Sequence, residues 1–331
     1  MRRFEGYEER SSGEADGRVA GDGGPALAGA TVALGNFDGV HRGHQALIAA
    51  ARAARPGAPL GVVTFEPHPR DVFRPDGPPF RLTTDAARTR LLEGLGVERL
   101  AVIPFTRGLS AMAPARFAGD VLARGLGIAH VAVGADFRFG RGRTGDAAIL
   151  RALGRVLGFG VSVLALVGDE EAAEGGEQFS STAARAAIRE GRLAEAATIL
   201  GRSHAVEGVV VRGDQRGRHL GYPTANLAFD RQLVPAYGVY AARVAVLEGP
   251  HRGVHDGVAS IGERPTFGTN APNFEVHLFD FAGDLYGAPI SVELVAFLRG
   301  EIAYAGAEAL IAQMDRDSAE ARQILAGAHG H

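Results

Sequence analysis

The chain contains neither cysteine nor lysine in its 331 residues. Without cysteine there is no disulfide, no thiolate zinc site and no cysteine nucleophile. Without lysine, a P-loop lysine, a protein-kinase β3 lysine and a lysine Schiff base are excluded as usually built. Phosphate chemistry must therefore run on backbone amides, arginine, histidine and bound metal. A large excess of one charge is also missing: 35 basic residues, all arginine, face 38 acidic ones for a formal net charge of −3. That balance argues against a nucleic-acid scaffold or a basic membrane-surface protein. Long hydrophobic runs are absent as well. The apolar stretch 161–167 falls far short of the roughly 20 residues that span a bilayer. Residues 1–10 lack the apolar core of a signal peptide. The expectation is a soluble, cytoplasmic protein of about two domains, with no nucleic-acid or membrane partner.

Residues 11–29 are small and polar and read as flexible, so 1–29 is expected to be a flexible N-terminal segment. From residue 31 onward, short β-type runs (31–34, 60–65, 100–104, 130–134, 161–167) alternate with helix-type stretches (45–55, 84–95, 113–124, 147–158). This alternation predicts a parallel sheet with helices on both faces, an α/β unit whose ligands lie beyond the carboxyl ends of the strands. A helical passage follows over 181–200. After Gly201 the pattern becomes 205–212, 238–247, 255–261, 274–280 and 290–298, separated by Gly, Pro and Asp/Asn turns. That is an all-β antiparallel barrel or sandwich, closed by a terminal helix from about residue 307. The boundary is expected near 186–203.

Four clusters carry candidate chemistry. GNFDGVHRGHQ, residues 35–45, joins the first strand to an alanine-rich helix. Gly35, Gly39 and Gly43 allow close backbone approach, and His41 and His44 stand at the positive end of the helix, where phosphate is attracted. His-x-Gly-His in this setting looks like the ATP site of nucleotidyltransferases that attack the α-phosphate; the alternative is an ordinary strand–helix turn. TFEPHP, residues 64–69, is a rigid two-proline loop at the same sheet edge. GADFRFGRGRTGD, residues 134–146, offers Asp136 as an acceptor for a base or sugar, Phe137 and Phe139 as stacking faces, and Arg138 among its phosphate-binding arginines. SSTAAR, residues 180–185, supplies hydroxyls at a helix start, which are caps by default. In a functional site, Ser181, Thr182 and Arg185 would close over the triphosphate and stabilise charge as pyrophosphate departs.

In that order, with FRLT at 80–83, these motifs resemble the adenylyltransferase half of the prokaryotic bifunctional riboflavin kinase/FMN adenylyltransferase (FAD synthetase) family. The second half resembles its riboflavin kinase through GDQRGRHLGYPTAN (213–226), PAYGVY (235–240), IGERPTF (261–267), FEVHLFDF (274–281) and DLYG (284–287). The resemblance covers about residues 30–320. It implies a Rossmann-like adenylyltransferase domain at 30–186, a linker helix region at 187–203 and a riboflavin-kinase-type barrel at 204–325. It also implies that Asn36, Phe37 and Asp38 join the glycines in binding ATP, and that Asp136, Phe137, Arg138, Phe139 and Arg299 bind flavin. The segment 299–304 departs from the family in lacking its usual lysine and phenylalanine.

In the second half, Thr224 and Asn226 are hard oxygen ligands suited to Mg²⁺ carrying ATP phosphates. Gly213, Gly217, Arg218 and Gly221 form a loop able to wrap the nucleotide. Glu275, in a strand, is placed to take a proton from a substrate hydroxyl. The implied activity phosphorylates riboflavin to FMN and adenylylates FMN to FAD, with ATP as co-substrate and Mg²⁺ as cofactor. The reading leaves room for a homo-oligomer and for hand-over of flavin to apo-flavoproteins. Two rivals are a single-activity adenylyltransferase with a flavin-binding barrel and a non-catalytic flavin-binding regulator.

Overall fold

The computed structural model describes residues 1–6, 20–21, 24–165, 179–213, 217, 221–263 and 272–327. By internal contacts the chain forms two compact units: Met1–Gly77 with Arg88–Phe179, and Pro78–Ala87 with Ser180–His331.

The first unit is built on a six-stranded parallel sheet of β1 (Arg2–Glu5), β2 (Thr31–Leu34), β3 (Leu60–Glu66), β4 (Arg99–Pro104), β5 (His130–Gly134) and β6 (Gly160–Leu164). Their spatial order is β1-β4-β3-β2-β5-β6. The chain moves outward from β2 through β3 to β4, then returns to β5 on the other side of β2. The switch point therefore lies between the carboxyl ends of β2 and β5, the position where open α/β sheets bind ligands. Every residue of β2 is buried, as expected of a strand covered on both faces. Helix α1 (Arg42–Ala54) buries Leu47, Ile48 and Ala51 against one face. On the other face lie Phe117–Leu126, a helical stretch wound with the wider π-type turn, and α4 (Ala147–Leu157), capped by the Asp146 carboxylate on Ile149 N–H at 2.9 Å. The intervening α2 (Asp85–Gly94) and α3 (Pro114–Arg116) match helical stretches expected from the sequence.

Residues 1–29 are not flexible throughout. Arg2–Glu5 pairs in parallel with Arg99–Val102, and Ala26 and Leu27 are buried in the core. The strand escapes sequence reading because it is short, polar and at a sheet edge, and its pairing partner lies about a hundred residues away. The expected strand 161–167 ends at Leu164, and residues 166–167 lie outside the described part of the chain.

The second unit is a closed antiparallel barrel of β7 (His204–Val211), β8 (Ala225–Ala228), β9 (Gly238–Val246), β10 (Gly253–Glu263), β11 (Pro272–Leu278) and β12 (Pro289–Arg299), in the order β7-β8-β11-β10-β9-β12. Alternate residues such as Phe274, Val276, Val292 and Leu294 fill its interior around Tyr240, whose hydroxyl donates to the Ala236 carbonyl. The expected passage 181–200 is two helices, α5 (Ser181–Arg189) and α6 (Leu193–Leu200), separated at Gly191 with φ 74°. They are part of the barrel unit rather than a linker, with Leu193 in the barrel core. Helix α7 (Ala307–Gly327) packs Ala321 and Leu325 against Ala241 and Phe279. The FRLT segment is a strap on this unit: Arg81 N–H donates to the Arg231 carbonyl at 3.1 Å, and Leu233 N–H donates to the Arg81 carbonyl at 2.8 Å.

Candidate active sites

In the first unit, β2 runs into a loop that turns sharply before α1. Phe37 (φ 52°), Gly39 (φ 80°) and Val40 (φ 42°) lie in the left-handed region, which glycine accepts freely and the other two at a cost. The loop ends at His41, the N-cap of α1, which makes no side-chain cap bond. The first-turn amides of α1 thus face the site together with two imidazoles. The rings of His41 and His44 stack with centroids 3.7 Å apart and 27° between planes, and Phe37 lies 4.9 Å from His44. A Cβ on Gly43 would come within 3.1 Å of both the His41 ring and the Phe179 carbonyl, so a larger residue would have to push them aside by a few tenths of an ångström. In the same loop Gly35 and Asn36 are half-buried and Asp38 is buried.

Phe37 is fully buried in the core under the loop, with its ring beside that of His44. Phe139 is likewise a core residue, packed on Phe117 at 5.7 Å and stacked behind Phe137 at 5.5 Å. Phe137 itself is half-buried and Asp136 exposed at the carboxyl end of β5, beside the histidine loop because β2 and β5 are paired neighbours. Arg138 pairs with Asp146 at 3.4 Å. The TFEPHP loop sits at the end of β3 on the other side of β2, with His68 Nδ1 accepting from Arg70 N–H at 3.1 Å.

Ser181, Thr182 and Arg185 belong to the second unit. The cap of α5 is Ser180, whose Oγ accepts from Ala183 N–H at 3.1 Å. Arg185 donates from Nε to the Phe80 carbonyl at 2.8 Å and lies over the Phe80 ring at 5.3 Å. FRLT and SSTAAR are therefore one structural cluster, a link invisible in the sequence.

In the barrel, antiparallel register sets Asn226 of β8 directly opposite Glu275 of β11, on the same face. The Thr224 hydroxyl donates to Glu275 Oε2 at 3.2 Å, and Asn273 Nδ2 donates to Oε1 at 3.1 Å. Both carboxylate oxygens are thereby oriented, while the Thr224 oxygen keeps its lone pairs for another partner. Asn226 is buried, and its Oδ1 has no hydrogen-bond partner among the described residues. Gly213 lies against that amide so closely that a Cβ there would collide with it. An unsatisfied carbonyl oxygen, an adjacent hydroxyl oxygen and a carboxylate form a hard-oxygen set that fits Mg²⁺. A Cβ on Gly217 would likewise strike the Tyr222 carbonyl; Gly221 sits at φ 85°, and Arg218 lies outside the described residues.

Sequence reading missed Asn273, as well as two contacts of α7. Tyr222, next to the Pro-Thr-Ala-Asn segment, donates its hydroxyl to Asp315. Burial first, and then the Asp315 carboxylate, hold its ionisation above the ordinary tyrosine value. Arg299 is held by Asp317, with contacts of 2.7, 3.0 and 3.1 Å, and these hydrogen bonds raise its pKa further. Its donors are thus directed at α7 and at the Gly300 carbonyl.

The fold and the two sites define a class: a nucleotide-binding α/β unit of the nucleotidyltransferase type joined to a flavokinase-type barrel. The FAD synthetase family model matches residues 25–183 and the riboflavin kinase family model residues 200–325. The bifunctional riboflavin kinase/FMN adenylyltransferase of Escherichia coli K12 is 41% identical over 300 residues, covering 90% of this chain and 93% of that protein. That of Pseudomonas fluorescens is 40% identical over 305 residues, covering 91% and 95%. The chain belongs to the bifunctional riboflavin kinase/FMN adenylyltransferase family. A crystal structure described as a macrolide-efflux protein from Streptococcus pneumoniae shares the fold, with a TM-score of 0.78 and 31% identity over 89% of this chain and 94% of that one.

Proposed function

We propose that the two sites carry out the family's two reactions in sequence on one polypeptide, phosphorylating riboflavin to FMN and adenylylating FMN to FAD. ATP is the co-substrate of both steps. In the barrel, Glu275 takes the proton of the ribityl 5′-hydroxyl as its oxygen attacks the γ-phosphorus of ATP, releasing ADP. Thr224 and Asn273 hold the carboxylate in the orientation for that transfer. Thr224 and Asn226 are the residues that would hold Mg²⁺, which when bound offsets phosphate charge. Gly213, Gly217 and Gly221 are the loop residues that would wrap the nucleotide, with Arg218 as their charged partner by sequence alone.

In the α/β unit the nucleophile is the FMN phosphate, already anionic at neutral pH, so the attack on the α-phosphorus needs no protein base. His41, His44 and the first-turn amides of α1 stabilise the charge that shifts toward the departing pyrophosphate. Asp136 and Phe137 receive the flavin, and Ser181, Thr182 and Arg185, at the start of α5, are the residues that would bind phosphate. Cellular ATP supply supports a cytoplasmic setting, with FAD passed on to apo-flavoproteins.

The observation that supports this reading is that each unit gathers its own candidate groups of different chemistry: stacked imidazoles at a helix start in one, a hydroxyl–amide–carboxylate set in the other. Incubation with riboflavin and MgATP, followed by chromatography, tests it. FMN and FAD should both appear. FMN alone, FAD only from supplied FMN, or no product would each overturn it.

A further inference from the structure

The TFEPHP segment has no role in the chemistry above, yet it leads to a buried cation. Arg88, in α2, is 2% exposed. Its Nη2 pairs with Glu66 Oε1 at 2.9 Å, and its Nη1 donates to the Asn36 carbonyl at 3.3 Å. The same carbonyl accepts from the Thr64 hydroxyl at 3.1 Å, and Thr64 is fully buried. Thr64 and Glu66 lie on one face of β3, two residues apart. Asn36 is the residue immediately before Phe37, where the backbone enters the left-handed region that carries it to His41. Backbone in such regions persists only when its surroundings over-determine it. Two donors on one carbonyl, one of them a charged group anchored to a carboxylate, supply that determination.

We propose that Arg88 is a positioning residue for adenylyl transfer: with Glu66 and Thr64 it locks the Asn36 carbonyl and so sets where the loop presents His41 and His44. The inference rests on the reading that this loop is the adenylyl-transfer site. Arg88 touches no reacting atom. Its effect passes through the backbone, so it belongs in kcat for FMN adenylylation rather than in the affinity for FMN. A shift of the order of 1 Å in positioned groups costs about a hundredfold in rate.

The test uses the full chain and reads both activities. In Arg88→Met, kcat for FAD formation from FMN should fall by about ten- to a hundredfold, with KM for FMN within about twofold. Riboflavin phosphorylation should stay within about twofold, reporting a folded barrel, and the retained KM for FMN reports a folded α/β unit. Thr64→Val removes the other donor without changing shape and should give the same kcat-only signature, weaker. Glu66→Gln/Arg88→Met removes both charges and should remain impaired, while Arg88→Lys should recover part of the rate by restoring one donor. Recovery of the double variant to the wild-type rate would show that an uncompensated Glu66, not lost positioning, caused the defect. A wild-type Thr64→Val, a change confined to KM, or parallel loss of both activities would also overturn the assignment. His44→Ala assayed alongside separates the two levels: retained FAD formation there would reject the site itself, whatever Arg88 does.

Discussion

His204 opens the barrel at the start of β7, paired with Leu294 and buried. Burial, with the nearby Arg202 guanidinium adding repulsion, pushes its pKa from 6.5 down to about 3. Its Nε2 is a buried atom with no hydrogen-bond partner among the described residues, so nothing there rewards protonation. A depressed folded-state pKa means that the unfolded chain takes the proton first as pH falls. Stability from this group is therefore complete above about pH 6.5 and declines below it, by about 1.4 kcal/mol per pH unit, until about pH 3. Between pH 7 and pH 5 the loss is about 2 kcal/mol. With a urea dependence of about 2 kcal/mol/M, the barrel's midpoint should fall by about 1 M. Pulse proteolysis along a urea series at the two pH values, read on the barrel fragment, measures that midpoint. His204→Leu keeps an apolar side chain at the position and should shed most of this pH-dependent shift, whatever it does to absolute stability. Equal midpoint shifts in wild type and variant would refute the reasoning, because the proton would then be binding elsewhere.

Two further outcomes follow from the separate sites. His44→Ala should lower FAD formation from FMN by about a hundredfold or more while riboflavin phosphorylation persists, and Glu275→Gln should lower FMN formation by about 10²- to 10⁴-fold while supplied FMN is still adenylylated; a folded variant that lost both would show that the sites are coupled. Gly213→Ala drives a methyl group into the Asn226 amide. It should raise the Mg²⁺ concentration for half-maximal FMN formation by about tenfold or more, and an unchanged Mg²⁺ titration would show that Asn226 does not hold the metal.

The strands that sequence reading located in the α/β unit have contiguous apolar runs, such as β3 and β5, buried on both faces, and those it located in the barrel alternate in burial, such as β11 and β12. Arg2–Glu5 and Ala225–Ala228 escaped it for the same reason: each is four residues long and rich in polar or small side chains. A strand of this kind exists because its neighbours offer unpaired backbone groups, not because of its own composition. The local geometry of the candidate site was legible to a similar depth. His41 and His44 stand out because the turn that presents them is local and glycine-rich. Burial of the Phe37 and Phe139 rings was not legible, because an aromatic in a motif looks the same whether its ring faces solvent or the core. Asn273 and Arg88 carry no local signal at all.

By itself, the sequence determined the chemical inventory and the local turns. A chain without lysine or cysteine has arginine, histidine and backbone amides to offer phosphate, and Gly-rich loops after apolar runs mark the candidate places. Those are properties of a residue and its immediate neighbours, which is the range over which propensity and capping act. Only the tertiary structure decided which distant groups meet. Strand register set Asn226 opposite Glu275, 49 positions along the chain, and β3 with α2 brought Thr64 and Arg88 to one carbonyl of the loop at 36. Register and helix packing answer to the burial of a whole apolar face, a condition that no single segment of the sequence contains.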